Sequence, residues 1–244
     1  DLHRFGTKYL GEPGNLRAIM SLEARLREFG YDPELQWFEP RPGIRSANVI
    51  ARLPGTERPD VTYVVGSHFD SVERGPGADD NSSGTTALLE AARVLATRPQ
   101  PATIELVWFT GEEAGLLGSR EYARQALASG KNVAAALNND MVGYANDDRL
   151  DNTIRYSSAE VRDLQHAAAL LFTDLILYDA HYYKSTDAHA LYDAFGDVIG
   201  GIGSYPILAN PHYHQEHDVL ETINQRLVAE VAKATVGAVM GWGQ

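Results

Sequence analysis

Residues 61–70 read VTYVVGSHFD, and residues 77–81 read GADDN. The run at 61–66 is short, continuous and apolar, which predicts a strand buried on both faces of a sheet. His68 follows this run, and Asp80 comes twelve positions later, beyond a glycine-rich loop. A neutral imidazole and a carboxylate at the end of a buried strand are costly unless a cation compensates them. This stretch therefore predicts a central strand with a cation-binding site at its end.

The rest of the chain alternates strand-like and helix-like patterns, which is typical of βαβ units and a mostly parallel sheet. Apolar residues at helical spacing predict helices at about 15–29, 83–97, 113–128, 159–172, 188–195 and 219–240. Strand-like runs lie at about 35–38, 48–53, 61–66, 103–109, 133–141 and 197–202, and a further short strand lies between the helices at 159–172 and 188–195. We therefore expect an α/β fold, with a single domain over residues 1–244 and a mostly parallel (mixed) central sheet that carries helices on both faces.

Composition narrows the functions open to this chain. Its 244 residues are 44% hydrophobic and 22% charged, which suffices for one substantial core. A net charge of −12 argues against nucleic-acid binding and is explained most simply by solubility. The chain has no cysteine, which excludes thiol catalysis and thiolate metal sites and leaves histidine and carboxylate as the strong ligands. No apolar run reaches the roughly 18 residues that a membrane span needs.

Acidic residues follow the later predicted strands in the same way. Glu112 and Glu113 come after the fourth predicted strand, and Asp140 lies at the end of the fifth. Open α/β sheets bind ligands at the carboxyl ends of their strands. His68, Glu112 and Asp140 all fall there, so we expect them to meet at one site. Two histidines, two or three carboxylates and a spare glutamate form the inventory of a two-zinc hydrolase.

Two of the acidic motifs also have ordinary structural explanations. The triplet Asp79-Asp80-Asn81 could serve as a turn or helix cap, but the following serines can cap that helix, so we assign Asp80 to bridging two cations. The pair Glu112-Glu113 could be acids favoured at a helix N-terminus. Because adjacent side chains point in different directions, one can bind metal while the other moves a proton. We favour Glu113 as ligand and Glu112 as general base.

The sequence supports the other ligand candidates to different degrees. Asp140 lies in an apolar strand, where unpaired acids are seldom buried, and this favours a ligand role. In His68-Phe69-Asp70, His68 is the ligand, and Asp70 accepts the remaining ring N–H of a histidine.

The segment at 212–218 reads HYHQEHD and offers three histidines for one ligand position. Spacing does not choose among His212, His214 and His217. Asp218, with Glu221 three residues later, predicts an N-terminal capping box for the last helix.

Together these motifs resemble the bacterial co-catalytic zinc aminopeptidases, the leucyl-type family of secreted double-zinc exopeptidases. The matching blocks appear in family order and are GSHFDS (66–71), GPGADDNSSG (75–84), WFTGEEAGLLGS (108–119), NNDMVG (138–143) and YHQEHD (213–218). The family often has Ser-Asp-His before the penultimate strand, whereas residues 185–189 here read STDAH. The sequence therefore assigns no role to Asp187.

The resemblance implies a residue for each role. It places His68 and Asp140 on one zinc, Glu113 and His214 on a second, and Asp80 between the two. It implies Glu112 as general base, Tyr213 as a stabiliser of the tetrahedral intermediate, and Asp70 as the partner of His68. Related enzymes often carry a cis peptide bond after the bridging aspartate, so we expect one between Asp80 and Asn81.

The function implied is a zinc-dependent aminopeptidase with two Zn²⁺ per chain, acting on peptides with a free N-terminus, with no nucleic-acid partner and no membrane span, as a monomer. The chain does not begin with Met, and we expect a removed leader and a secreted or periplasmic location. The nearest alternative is a glutaminyl cyclase, which uses one zinc to close an N-terminal glutamine. A carboxypeptidase, an amidohydrolase and a non-catalytic receptor-like domain are further alternatives.

Overall fold

A six-stranded mixed sheet organises the fold, which a computed structural model describes for residues 2–242. Its strands are β1 (Glu34–Arg41), β2 (Ile44–Leu53), β3 (Arg58–His68), β4 (Ala102–Phe109), β5 (Asn132–Asn138) and, beyond the next two strands in the chain, β8 (Ile199–Gly200). Their order across the sheet is β1-β2-β4-β3-β5-β8. Strands β4, β3, β5 and β8 run parallel, while β1 and β2 pair antiparallel at one edge. The expected mostly parallel, mixed sheet is confirmed.

Helices cover both faces of this sheet, as predicted. They are α1 (Pro13–Glu28), α2 (Gly84–Leu95), α3 (Leu117–Ala128), α4 (Ala159–Phe172), α5 (Asp187–Phe195) and α6 (Gln225–Gly241). Helices α1, α2, α4 and α6 supply the apolar core on one face, and α3 and α5 supply the core on the other. All eight residues of β4 are buried, and its last four, residues 106–109, form a continuous apolar run.

A second, three-stranded sheet was not expected from the sequence. It contains β6 (Asp151–Arg155), β7 (Ile176–Ala180) and β9 (Ile202–Ser204) in the order β7-β6-β9. The single strand predicted at 197–202 is wrong, because the chain breaks at Gly201 and β8 and β9 belong to different sheets. Gly201 has a φ of 153° and lies so close to the carbonyl of Asn138 that a side chain would collide with it.

Two predicted helix starts are also wrong. Helix α3 begins at Leu117 and not at residue 113, because the preceding residues form a turn in which Leu116 has a φ of 60°. Helix α6 begins at Gln225 and not at residue 219, and its cap is the Asn224 side chain, which accepts the N–H of Leu227 at 3.1 Å. None of the helices between residues 2 and 242 has the length and apolarity that a bilayer-spanning helix needs.

The segment before α1 is anchored by a buried lysine. The Lys8 side chain has no exposed surface, and its ammonium donates to the carbonyl of Pro76. The backbone N–H of Lys8 donates to Ser71 Oγ at 2.9 Å. The segment is thus held against the loop between β3 and α2.

Candidate metal centre

Three ligand candidates come from the carboxyl ends of neighbouring strands. His68 is the last residue of β3, Glu112 lies in the turn after β4, and Asp140 lies two residues past the end of β5. Since β4, β3 and β5 are adjacent and parallel, these ends meet at one edge of the sheet. One ligand atom from each residue lies within 4.8 Å of the other two. We call His68, Glu112 and Asp140 the inner group.

Three further candidates come from loops. Asp80 lies in an irregular helical turn before α2, Glu113 follows Glu112, and His214 lies in the long loop before α6. Their ligand atoms also lie within 4.8 Å of one another. The peptide bond between Asp80 and Asn81 is cis, as predicted. We call Asp80, Glu113 and His214 the outer group.

Asp80 connects the two groups through its two carboxylate oxygens. Its Oδ1 lies 3.3 Å from His68 Nε2, and its Oδ2 lies 3.2 Å from His214 Nε2. His68 Nε2 is also 3.3 Å from Asp140 Oδ1, and His214 Nε2 is 3.0 Å from Glu113 Oε2. Each histidine thus faces Asp80 and one further carboxylate.

Asp70 supports both groups from behind. Its Oδ1 lies 3.4 Å from His68 Nδ1. The same carboxylate accepts the backbone N–H groups of Glu112 at 3.1 Å and of Glu113 at 3.2 Å. Asp70 is fully buried, so it fixes the turn after β4 as well as facing the imidazole. The sequence predicted the contact with His68 but not the bonds to the two glutamates.

The predicted capping box of Asp218 and Glu221 is wrong, because Asp218 stabilises a different loop. Its two oxygens accept the backbone N–H groups of Asp79 at 2.8 Å and of Asp80 at 3.0 Å. Asp79 in turn accepts bonds from the Asn210 side chain and the backbone of Gly143, both at 2.7 Å. These bonds attach the loop that carries His214 to the turn that carries Asp80. No pattern in the sequence indicated these bonds, beyond the presence of an acid in each loop.

Of the three clustered histidines, only His214 reaches the outer group. His212 and His217 contact each other instead, with 3.1 Å between their Nδ1 atoms. Tyr213 stacks on His214 with ring centroids 3.8 Å apart and lines the same cavity as Asp80 and Glu112. The structure therefore brings together His68, Asp80, Glu112, Glu113, Asp140, Tyr213 and His214, with Asp70 adjacent.

Burial of these acids shifts their protonation. It raises the pKa of Glu112 well above its usual range and raises that of Glu113 to about 7. Burial also opposes charge on His214, but Asp80 and Glu113 outweigh it and raise the pKa of that imidazole to about 10. Without a bound metal ion, burial thus favours the neutral form of both glutamates, whereas the facing carboxylates favour the charged form of His214.

The donor set fits divalent metal ions. Facing nitrogen and oxygen atoms are 3.0–3.3 Å apart, the separation expected of two ligands that each bind one ion at about 2.0–2.2 Å. The buried Oε1 of Glu113 has no hydrogen-bond partner within the described part of the chain. Histidine and carboxylate without cysteine suit zinc and harder divalent ions. The inner and outer groups are therefore two candidate ion positions that share Asp80.

Two buried side chains near the centre were not assigned by the sequence. Asp187 begins α5, is fully buried, and has no hydrogen-bond partner for either oxygen among residues 2–242. Arg155 ends β6, and its Nη1 lies 3.8 Å from Asp140 Oδ2. No pattern in the sequence indicated Arg155, because β6 itself was missed.

Comparisons with known proteins find aminopeptidases and a glutaminyl cyclase among the chains similar to this one. A probable leucine aminopeptidase of Arthroderma otae is 32% identical over 212 residues, which are 80% of this chain and 56% of that protein. A solved zinc aminopeptidase from Bacillus subtilis is 30% identical with a TM-score of 0.71, covering 82% of this chain and 50% of that one. A glutaminyl cyclase from Bacteroides thetaiotaomicron shares the fold at 18% identity, with a TM-score of 0.82 and coverage of 98% and 94%.

This chain spans about half the length of the curated relatives it matches. The model of Peptidase family M28 matches residues 48–239, which include every residue of the inner and outer groups. By this match the chain belongs to Peptidase family M28.

Proposed function

We propose that this chain is a zinc-dependent aminopeptidase that hydrolyses the N-terminal peptide bond of peptides with a free N-terminus. The observation that carries the proposal is the position of Asp80, which turns one oxygen to His68 and the other to His214. A carboxylate placed in this way suits a two-metal site, in which ions lie about 3.5–4 Å apart. The aminopeptidase relatives and the family support the same reaction.

In this proposal each chain binds two Zn²⁺. His68 and Asp140 would hold one ion, Glu113 and His214 would hold the other, and Asp80 would contribute to both sites. Two divalent ions compensate the three carboxylate ligands, whereas one ion would leave excess negative charge in a partly buried site. Asp70 fixes the orientation of His68 from its opposite side.

When bound, the ions polarise the scissile carbonyl and lower the pKa of the attacking water. Glu112 accepts a proton from that water and returns it to the leaving amine. Burial raises the pKa of its carboxyl, which makes it a stronger proton acceptor. Asp70 orients Glu112 by accepting its backbone N–H, and the Tyr213 hydroxyl donates to the developing oxyanion.

A glutaminyl cyclase is the alternative, because a solved cyclase has the same fold. That reaction cyclises an N-terminal glutamine instead of adding water to a peptide bond. The resemblance described above implies that a cyclase uses one zinc. Metal stoichiometry and the fate of a glutaminyl peptide therefore discriminate between the two functions.

The deciding experiment uses a panel of aminoacyl 4-nitroanilides with free and acetylated amines, with and without a chelator. We expect nitroaniline release from the free-amine substrates only, complete loss on chelation, and recovery with Zn²⁺. Glu112→Gln, loaded with zinc, is the matched inactive control. Release from acetylated substrates, or cyclisation of glutaminyl substrates with no hydrolysis of the others, would contradict the proposal.

Four expectations accompany this function. Residues 1–244 form a single domain, the enzyme is a monomer, it has no nucleic-acid partner, and it is secreted or periplasmic. Light scattering measures the oligomeric state, and fractionation of the source cells measures the location.

A further inference from the structure

A buried arginine faces the candidate centre without an adequate partner. Arg155 is 5% exposed and lines the cavity that also contains Asp80, Glu112 and Asp140. It is the last residue of β6, so the small second sheet delivers it to the carboxyl ends of the central strands. A cationic side chain in such a position is costly unless anions or acceptors compensate it.

Packing contacts fix the position of the Arg155 guanidinium. A side chain at Gly203 would collide with the guanidinium, since a Cβ there would lie 2.3 Å from its central carbon. The Tyr182 ring lies on the guanidinium with 5.8 Å between the ring centroid and the central carbon. The backbone N–H of Arg155 donates to Gly201 at 2.8 Å. A flat cation is thus fixed between a glycine and an aromatic ring.

The contacts of this guanidinium leave most of its hydrogen-bonding capacity unused. Nη2 donates to Ser204 Oγ at 3.4 Å, which is a long bond. Nη1 lies 3.8 Å from Asp140 Oδ2, too far for a hydrogen bond. The buried Nε has no partner among residues 2–242. A guanidinium offers five N–H donors in a planar fork that matches a carboxylate, so its unused donors fit one.

We propose that Arg155 binds a carboxylate of the substrate and selects peptides that present one there. The inference rests on the aminopeptidase function proposed above. Asp140 turns Oδ1 to His68 and Oδ2 to Arg155, but the latter is 3.8 Å from Nη1, so Asp140 does not take up the guanidinium donors. The Arg155 guanidinium lines the same cavity as Asp140 and Glu112, so it faces the space in which the proposed function places the substrate. The carboxylate is therefore either the side chain of an N-terminal Asp or Glu, or the C-terminal group of a dipeptide.

This selectivity is distinct from the overall charge of the chain. A net charge of −12 repels an acidic peptide at long range, and such repulsion is screened by salt. Arg155 acts at contact distance inside a buried cavity, where screening is weak. Selection for acids should thus persist at high ionic strength.

The first experiment compares glutamyl and glutaminyl 4-nitroanilide, which differ only in charge at the side chain. We expect the wild type to prefer the glutamyl substrate by about tenfold to hundredfold in kcat/KM, the range of a charged hydrogen-bonded pair. Arg155→Gln should abolish that ratio, mainly through KM, and Arg155→Lys should restore part of it. Arg149→Gln is the matched control, because Arg149 is exposed and contacts Tyr178.

The second arm distinguishes the source of the carboxylate. If the dipeptide terminus is bound, Leu-Gly should exceed Leu-Gly amide by a similar factor in the wild type and equal it in Arg155→Gln. An equal loss on glutamyl, glutaminyl and leucyl substrates, and on both dipeptides, with reduced zinc content would overturn the proposal. Arg155 would then only offset the charge of Asp140.

A binding measurement separates this proposal from the proposed function. Calorimetry on zinc-loaded Glu112→Gln compares free glutamate with free glutamine and needs no turnover. Tighter glutamate binding that is lost in the Arg155→Gln double variant supports the carboxylate site even if no nitroanilide is hydrolysed. Equal affinities, with Leu-Gly and its amide also bound equally, refute it even if the enzyme proves an active aminopeptidase.

Discussion

The inner and outer groups use similar side chains but are built in different ways. His68 and Asp140 come from the ends of two central strands, and the His68 side chain is 1% exposed. His214 comes from a loop, has a positive φ of 59°, and its side chain is 38% exposed. The inner group is positioned by the sheet, whereas the outer group depends on bonds between loops. One half of the centre is therefore part of the core, and the other half can be altered separately.

The largest effect is expected from the adjacent glutamates, which belong to different groups. Zinc-loaded Glu112→Gln should retain two ions but lose about 10²–10⁴-fold in kcat, because it removes the proton acceptor. Glu113→Gln should lose activity together with zinc, because it removes a ligand. Metal analysis beside steady-state kinetics checks both variants. Equal zinc loss in the two variants would show that both glutamates act as ligands.

The two histidines should differ in their effect on the metal-free fold. His68→Ala removes the imidazole that faces the buried acids, and we expect it to lower the free energy of unfolding by about 2–3 kcal/mol. His214→Ala removes a partly exposed pair and should cost about 1 kcal/mol or less. Denaturant unfolding in chelator measures both. Zinc content should fall in each variant, and equal destabilisation would contradict the distinction between the groups.

A smaller effect should follow from loosening the loops alone. Asp218→Asn weakens the bonds to the backbone of Asp79 and Asp80 without changing a ligand. We expect about 10–100-fold weaker binding of the outer ion and little change at the inner one. Competition with a chromogenic chelator resolves the two affinities. Glu221→Gln is the matched control. If Asp218 acted through a capping box with Glu221, this variant would weaken binding of the outer ion as Asp218→Asn does.

The smallest effect is expected at the two remaining histidines of the cluster. His212→Ala and His217→Ala should each retain the full zinc content, because these rings contact each other and not the ligands. Elemental analysis of the dialysed proteins measures this directly. Loss of an ion in either variant would move the ligand role away from His214.

The sheet and the inner group could be predicted because their signals are local. Strands β3, β4 and β5 each contain a short, mainly apolar run, and a residue just past such a run must lie at the edge of the sheet. Their order in space was not needed to place His68 or Asp140. The choice of His214 needed the family resemblance, since spacing alone left three candidates.

The loops and the second sheet could not be predicted for physical reasons. Strand β6 is buried yet reads DNTIR, without the apolar alternation that indicates a strand. Asp218 forms the sequence pattern of a helix cap, but its partners lie 138 and 139 positions away. Bonds over such separations leave no periodic signal. Arg155 was missed because its role depends on both of these unpredicted features: a polar strand and long-range contacts.

The buried ammonium of Lys8 allows detachment of the segment before α1 to be measured by chemical labelling. The chain has four lysines, and the Lys233 side chain is 57% exposed, so an amine-acylating reagent reaches it in the native state. Lys8 is enclosed against Pro76, and the reagent reaches it only when that segment detaches. The rate of acylation at Lys8 relative to Lys233 therefore reports how often this segment detaches, in the same way that hydrogen exchange reports local unfolding. Mass spectrometry of the two peptides that carry these lysines would follow the mobility of the segment held against the loop between β3 and α2.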